Sequence, residues 1–159
     1  MNITPTTAFS KIAVLKSPIR VVQGGTSAGK TYSILQYLIL HALKRELLIS
    51  IVAESVPVLK RGAYKDFIDI ITKMGLYDES KHNKTDRIYK LNKTTFEFFS
   101  ADDSSKLRGS RRDILFVNEA KKVVDKEFQR WFKLTARLTA YLTRINSAPE
   151  TIPTLYVMG

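Results

Sequence analysis

The chain has 159 residues, 44% of them hydrophobic, which is enough for one globular domain with a buried core and leaves no room for a second domain. It contains no cysteine, so disulfides and thiolate metal sites are excluded, and its only two histidines are widely separated, so we expect no transition-metal centre. The formal net charge of +11 indicates a polyanionic partner or substrate, although solvated lysines account equally well for most of it.

The first 18 residues predict a short helix and no export signal. Apolar residues between Pro5 and Pro18, among them Phe9, allow one helix. Phe9 could pack against a nucleotide base or within the core, and the sequence does not separate these roles. Because this stretch has no signal-peptide pattern and the longest apolar run, Ile34 to Leu43, is too short to span a membrane, we expect a cytoplasmic protein.

The clearest motif follows a β-branched run, Ile19 to Val22, and precedes an apolar helical pattern. This is the strand, loop and helix order of a phosphate-binding loop. Its glycines let backbone N–H groups turn towards an anion, its lysine reaches the β- and γ-phosphates, and its threonine hydroxyl can hold Mg²⁺. We therefore assign phosphate binding to Gly24, Gly25, Thr26, Ser27, Ala28, Gly29, Lys30 and Thr31.

The middle of the chain predicts a strand followed by one helix. Leu47 to Ala53 is typical of a strand that is buried on both faces of a parallel sheet. Val58 to Met74 has the apolar period of an amphipathic helix, closed by Gly75. Lys60 and Arg61 would lie in the first turn, where they oppose the helix dipole, so contact with a nucleic-acid phosphate competes with solvation as their role.

A hairpin and a basic loop come next. Arg87 to Leu91 and Thr94 to Ser100 predict two strands joined by a two-residue turn. Ala101 to Arg112 is polar and basic, and Arg108 beside Gly109 could present a guanidinium group to a phosphate.

The second strong signal is the segment from Asp113 to Glu119. Four consecutive apolar residues predict a fully buried strand, and Asn118 and Glu119 follow at its C-terminal end, where parallel sheets bind ligands. A glutamate there can activate water, and the Asn118 carbonyl oxygen can serve Mg²⁺ through a bound water without adding charge. Beyond this segment we expect a helix from Asp125 to about Leu142 and a last strand from Thr154 to Met158.

Three features together resemble one family. A long insertion separates Lys30 from Glu119, a Lys-Leu-Arg-Gly segment contains Arg108, and the buried strand ends in Asn-Glu-Ala. This arrangement is similar to the ATPase domain of the large terminase subunit of tailed bacteriophages, particularly the PBSX-like prophage group, over about Phe9 to Ala120. The resemblance implies an α/β P-loop NTPase sandwich with a mostly parallel sheet, of the additional-strand, catalytic-glutamate type, working in a phage-infected or prophage-carrying cell.

The resemblance also implies roles and partners. Lys30 and Thr31 would bind ATP and Mg²⁺, Asn118 would lie on the metal side, Glu119 would be the catalytic carboxylate, and Arg108 would be an arginine finger inserted into a neighbouring subunit. The implied partners are the backbone of double-stranded DNA, further copies in a homo-oligomeric ring, the small terminase subunit and the portal protein, with no membrane.

Two departures from the family pattern shape our expectations. The loop has Thr26 and Ser27 where some terminases carry an arginine. After Ala120 we find neither the family's coupling motif nor carboxylates for a nuclease domain, so we expect a truncated single domain, incomplete at its C-terminal end, whose tail could derive from a reading-frame change.

Two other functions stay open at this point. A small P-loop kinase fits the length, with the Arg108 segment as a lid, although Glu119 directly after a buried strand favours water activation. A non-catalytic prophage remnant or interaction module would keep the same motifs without turnover.

Overall fold

The computed structural model describes residues 5–16, 19–22, 29–101, 103, 112–119 and 154–158. Its helices are α1 (Thr7–Ala13), α2 (Lys30–Ala42), α3 (Val56–Arg61), α4 (Ala63–Lys73) and a 3-10 turn at Glu79–Lys81. Its strands are β1 (Ile19–Val22), β2 (Leu48–Ala53), β3 (His82–Asn83), β4 (Ile88–Leu91), β5 (Thr94–Ser100), β6 (Ile114–Val117) and β7 (Thr154–Met158). The helix predicted from Asp125 to Leu142 lies outside the described residues.

The strands form one seven-stranded sheet in the order β1-β7-β6-β2-β5-β4-β3. Strands β1, β7, β6, β2 and β5 are parallel, and β4 and β3 continue the sheet as antiparallel strands. The mostly parallel α/β sheet is therefore confirmed. The predicted last strand is also present, and it lies between β1 and β6, with Leu155 opposite both Ile19 and Leu115.

The core lies where the central strands meet the helices. All four residues of β6 and five of the six residues of β2 are buried, as their unbroken apolar runs predict. On α4, the ring of Phe67 packs against Phe96, Phe98 and Tyr89, with ring centroids 4.6 to 5.7 Å apart. Helix α2 packs against α1 and α4. Within the described part of the chain, no helix is long and apolar enough to cross a bilayer.

The helix predicted from Val58 to Met74 is two helices, and this prediction was wrong. The chain breaks at Gly62, whose φ of −108° and ψ of −108° are not helical. Helix α3 therefore ends there, and Lys60 and Arg61 lie in its last turn, where their charges favour the helix dipole and do not oppose it. The predicted stop at Gly75 is confirmed by its φ of 70°.

Arg112 departs from the basic loop to which its sequence position assigns it. Only 8% of the residue is exposed, and its Nε atom donates to Ser50 Oγ at 2.6 Å and to Glu97 Oε1 at 3.3 Å. The next residue, Asp113, accepts the backbone N–H of Leu48 at 2.8 Å. Arg112 is thus part of the sheet interior, where polar side chains on two neighbouring strands accept from its Nε atom and one of them carries the opposite charge.

Candidate nucleotide site

The start of α2 has the geometry of an anion site. Gly29 is the N-cap residue, with φ 65° and ψ 24°. A Cβ atom at this position would meet nothing within 4 Å, so the left-handed backbone, and not crowding, is what requires glycine. Lys30 and Thr31 are the first two residues of the helix, where N–H groups have no partner within the helix and can bind an anion.

The rest of the predicted phosphate loop is not covered by the structure. Gly24, Gly25, Thr26, Ser27 and Ala28 lie outside the described residues, and their roles stay predictions. Arg108, the predicted arginine finger, lies outside them as well.

The two predicted halves of the site meet through one hydrogen bond. The Thr31 hydroxyl donates to Asn118 Oδ1 at 2.9 Å, which joins residues 87 positions apart. Asn118 is 5% exposed, and its backbone N–H donates to the Val52 carbonyl of β2 at 2.8 Å. A hydroxyl that donates its proton in this way can still act as an acceptor or a metal ligand through its oxygen.

Glu119 follows directly with an uncommon backbone conformation. Its φ of 52° lies in the left-handed region, which non-glycine residues adopt rarely and often at functional sites. It lies after β6, at the carboxyl edge of the sheet that also carries the start of α2. The structure therefore brings Gly29, Lys30, Thr31, Asn118 and Glu119 to one edge of the parallel sheet.

The joint between α3 and α4, at Gly62, lies beside the site. The sequence pattern did not predict this neighbour. A Cβ atom on Gly62 would lie 3.8 Å from Asn118 Nδ2 and 3.1 Å from the Val58 carbonyl oxygen. The Val58 carbonyl is therefore what favours glycine here, and the Asn118 amide would lie at an ordinary contact distance from such a Cβ atom. The available signal was a lone glycine inside a helical pattern, which often marks close backbone approach.

The charges around this edge suit a phosphate ligand. Lys60 and Arg61 are exposed, and neither takes part in an ion pair among the described residues. In the described ranges, no three His, Asp or Glu side chains form a group that could hold a metal ion. These residues therefore offer no metal site built from protein ligands alone. A Mg²⁺ ion at Thr31 and Asn118 would instead take most of its ligands from phosphates and water.

Comparison with known proteins gives one family. Residues 16–150 match the model of the family described as "Phage terminase large subunit". No sequence among curated proteins matches the chain. The match ends well beyond Ala120, so the predicted end of the resemblance there was wrong.

Solved structures of large terminases have the same fold. The large terminase of a thermophilic bacteriophage superposes with a TM-score of 0.69 at 12% identity, over 98% of this chain and 39% of that one. The ATPase domain of the Thermus phage P74-26 large terminase superposes with a TM-score of 0.66 at 13% identity, over 96% of this chain and 64% of that one. The bacteriophage HK97 large terminase superposes with a TM-score of 0.66 at 13% identity, over 100% of this chain and 33% of that one. The chain thus spans about one third to two thirds of the lengths of these proteins.

Proposed function

This chain belongs to the phage terminase large subunit family, and we propose that it binds and hydrolyses ATP as the motor domain of a DNA-packaging terminase. The observation that carries the proposal is the 2.9 Å hydrogen bond between Thr31 and Asn118, because it joins the predicted phosphate loop to the end of β6, where Glu119 follows. A thermophilic phage terminase of the same fold has been solved in complex with ADP, which supports a nucleotide ligand.

Each residue of this edge has a distinct task in the proposed reaction. The N–H groups at the start of α2 and the Lys30 ammonium group bind the β- and γ-phosphates of ATP. Thr31 and, through water, Asn118 would hold Mg²⁺, which would neutralise phosphate charge. Gly24 to Ala28 complete the cradle, as their sequence pattern predicts.

Glu119 activates the attacking water. Its carboxylate takes a proton from the water while the water oxygen bonds to the γ-phosphorus and the bond from that phosphorus to the bridging oxygen breaks. The products are ADP and inorganic phosphate. Arg108 of a neighbouring copy in a ring places its guanidinium on the developing charge, a contribution of about 10³ to 10⁵ in rate in other enzymes.

The partner proposed at this edge is the backbone of double-stranded DNA. The net charge of +11 and the exposed pair of Lys60 and Arg61 support binding to phosphates without reading of bases. The small terminase subunit and the portal protein are proposed as further partners on family membership alone.

ATP binding and phosphate release by the wild type, Lys30→Ala and Glu119→Gln, with and without double-stranded DNA, test this function. We expect Lys30→Ala to lose nucleotide binding and Glu119→Gln to bind ATP without turning it over. The matched controls are Lys93→Ala and Glu46→Gln, both at exposed positions. Arg108→Ala should nearly abolish turnover and spare binding. A wild-type chain that neither binds nor hydrolyses ATP contradicts the proposal.

A further inference from the structure

A chain of hydrogen bonds connects the N-terminal helix to the end of the phosphate loop. The Thr6 hydroxyl caps α1 by accepting the Phe9 N–H at 3.1 Å, and it is hydrogen-bonded to the Ser33 hydroxyl on α2. Ser33 Oγ in turn donates to the Gly29 carbonyl oxygen at 2.7 Å, and the Ser33 backbone N–H reaches the same oxygen at 3.0 Å.

The donor and acceptor of each of these hydrogen bonds follow from the number of protons available. Ser33 has one hydroxyl proton, and the Gly29 carbonyl, which can only accept, takes it. The proton between the two hydroxyls is therefore that of Thr6, which donates to Ser33 Oγ while Thr6 Oγ1 accepts from the Phe9 N–H. Each hydroxyl thus donates once and accepts once, and Ser33 is fully buried.

The last of these hydrogen bonds, from Ser33 Oγ to the Gly29 carbonyl oxygen, sets the orientation of one peptide group. The Gly29 carbonyl and the Lys30 N–H belong to the same planar trans peptide and point in opposite directions. Holding the carbonyl towards Ser33 therefore aims the Lys30 N–H out of the helix start, where a phosphate would bind. Gly29 has no Cβ and tolerates several backbone conformations, so this peptide needs such a restraint more than others do.

From this geometry we infer that Thr6 and Ser33 are positioning residues for nucleotide binding, acting through the Gly29–Lys30 peptide. The inference rests on the proposed function, which it extends to a segment outside the nucleotide motif. A serine bonded to the carbonyl four residues earlier is common in helices. The link to Thr6, 27 positions away and on another helix, is what makes α1 part of the site.

Thr6→Val and Ser33→Ala test the inference, with Thr6→Ser as the conservative variant that keeps the hydroxyl. We measure the Kd for ADP by fluorescence titration, the melting temperature without ligand, and hydrogen exchange of the Ser33 amide without ligand. Thr6→Val should weaken ADP binding about five- to tenfold, the effect of losing one hydrogen bond, and Thr6→Ser should restore it. The Ser33 amide should exchange faster in Thr6→Val.

Matched controls separate positioning from general stability. Thr7→Val and Ser10→Ala change exposed residues of α1 and should leave the Kd for ADP unchanged. Additive effects of Thr6→Val and Ser33→Ala in the double variant would contradict a single chain of bonds, because coupled residues give non-additive losses.

Failure of the inference and failure of the proposed function give different results. If the wild type binds ADP and Thr6→Val binds it within twofold, or if Thr6→Val changes only the melting temperature, the inference is overturned and the proposed function stands. If the wild type does not bind ADP at all, the proposed function is overturned and the positioning role falls with it.

Discussion

The Thr31 hydroxyl lies 2.9 Å from Asn118 Oδ1, so the residue that would touch Mg²⁺ on the loop side is bonded to a neutral amide and not to a carboxylate. Nucleotide hydrolases commonly have an acidic residue at the second position. The nearby joint at Gly62 places backbone close to the amide nitrogen of Asn118. This edge of the sheet therefore carries one negative charge less than an acidic residue at position 118 would give it.

Asn118→Asp should lower the Mg²⁺ concentration that ATP binding requires. A carboxylate beside Thr31 attracts the cation directly, so we expect the Mg²⁺ concentration for half-maximal ATP binding to fall about tenfold. A Mg²⁺ titration of ATP affinity measures the change. Asn92→Asp, at an exposed hairpin position, is the matched control and should leave the midpoint unchanged. An unaltered midpoint in Asn118→Asp would show that Asn118 is not on the metal side.

Removing both charges at the end of α3 should weaken DNA binding selectively. Lys60→Ala with Arg61→Ala should make the slope of log K against log salt less negative by about 2, since each phosphate contact contributes about 0.9. ATP affinity without DNA should not change. Lys90→Ala with Lys93→Ala removes two exposed charges around the β4–β5 turn, at the opposite edge of the parallel strands, and serves as control. Equal losses in the two double variants would refute a specific role for α3.

Arg112→Met should destabilise the fold, because it removes the cation paired with the Glu97 carboxylate. The two side chains are 7% and 19% exposed, so the loss should be about 3 kcal/mol in urea unfolding. Adding Glu97→Gln should recover part of it by removing the uncompensated charge. Lys84→Met breaks an ion pair with Glu79 whose side chains are 63% and 78% exposed, and it should have no measurable effect. A similar loss in both single variants would contradict this account.

The free energy of unfolding should fall as pH decreases below about 6.5. Tyr64 and Tyr77 hydroxyls lie 2.5 and 2.9 Å from the ring nitrogens of His82, and burial followed by the charge of Lys84 lowers the pKa of His82 from 6.5. Because the unfolded chain then binds the proton more readily than the folded chain, the stability present above pH 6.5 is lost on acidification.

Urea unfolding at pH 7.5 and pH 5.5 measures that loss. His82→Gln should reduce the difference between the two pH values. The pKa of His41 is lowered as well, by burial and by Arg45, so adding His41→Gln should reduce the difference further. Equal pH dependence in the wild type and the double variant would show that other groups are responsible.

Local patterns in the sequence identified most of the described helices and strands, and they predicted the residues of the candidate site. The glycines and lysine of the loop, the buried run before Asn118 and the turn at Asn92 each depend on backbone preferences within a few residues, which a sequence displays directly. The sequence pattern did not reveal the break at Gly62, because the apolar period of Leu59, Ala63 and Phe67 continues across it.

What the sequence by itself determined was local chemistry: a glycine-rich pattern that ends in Lys30 and Thr31, a buried apolar run followed by Asn118 and Glu119, and an excess of positive charge. Only the tertiary structure decided which residues meet. The order of parallel strands, with β7 between β1 and β6, is set by long-range pairing that no local pattern contains. For the same reason Arg112 became an interior residue and Thr6 a neighbour of the phosphate loop, since the partners that satisfy their hydrogen bonds lie on other elements of the fold.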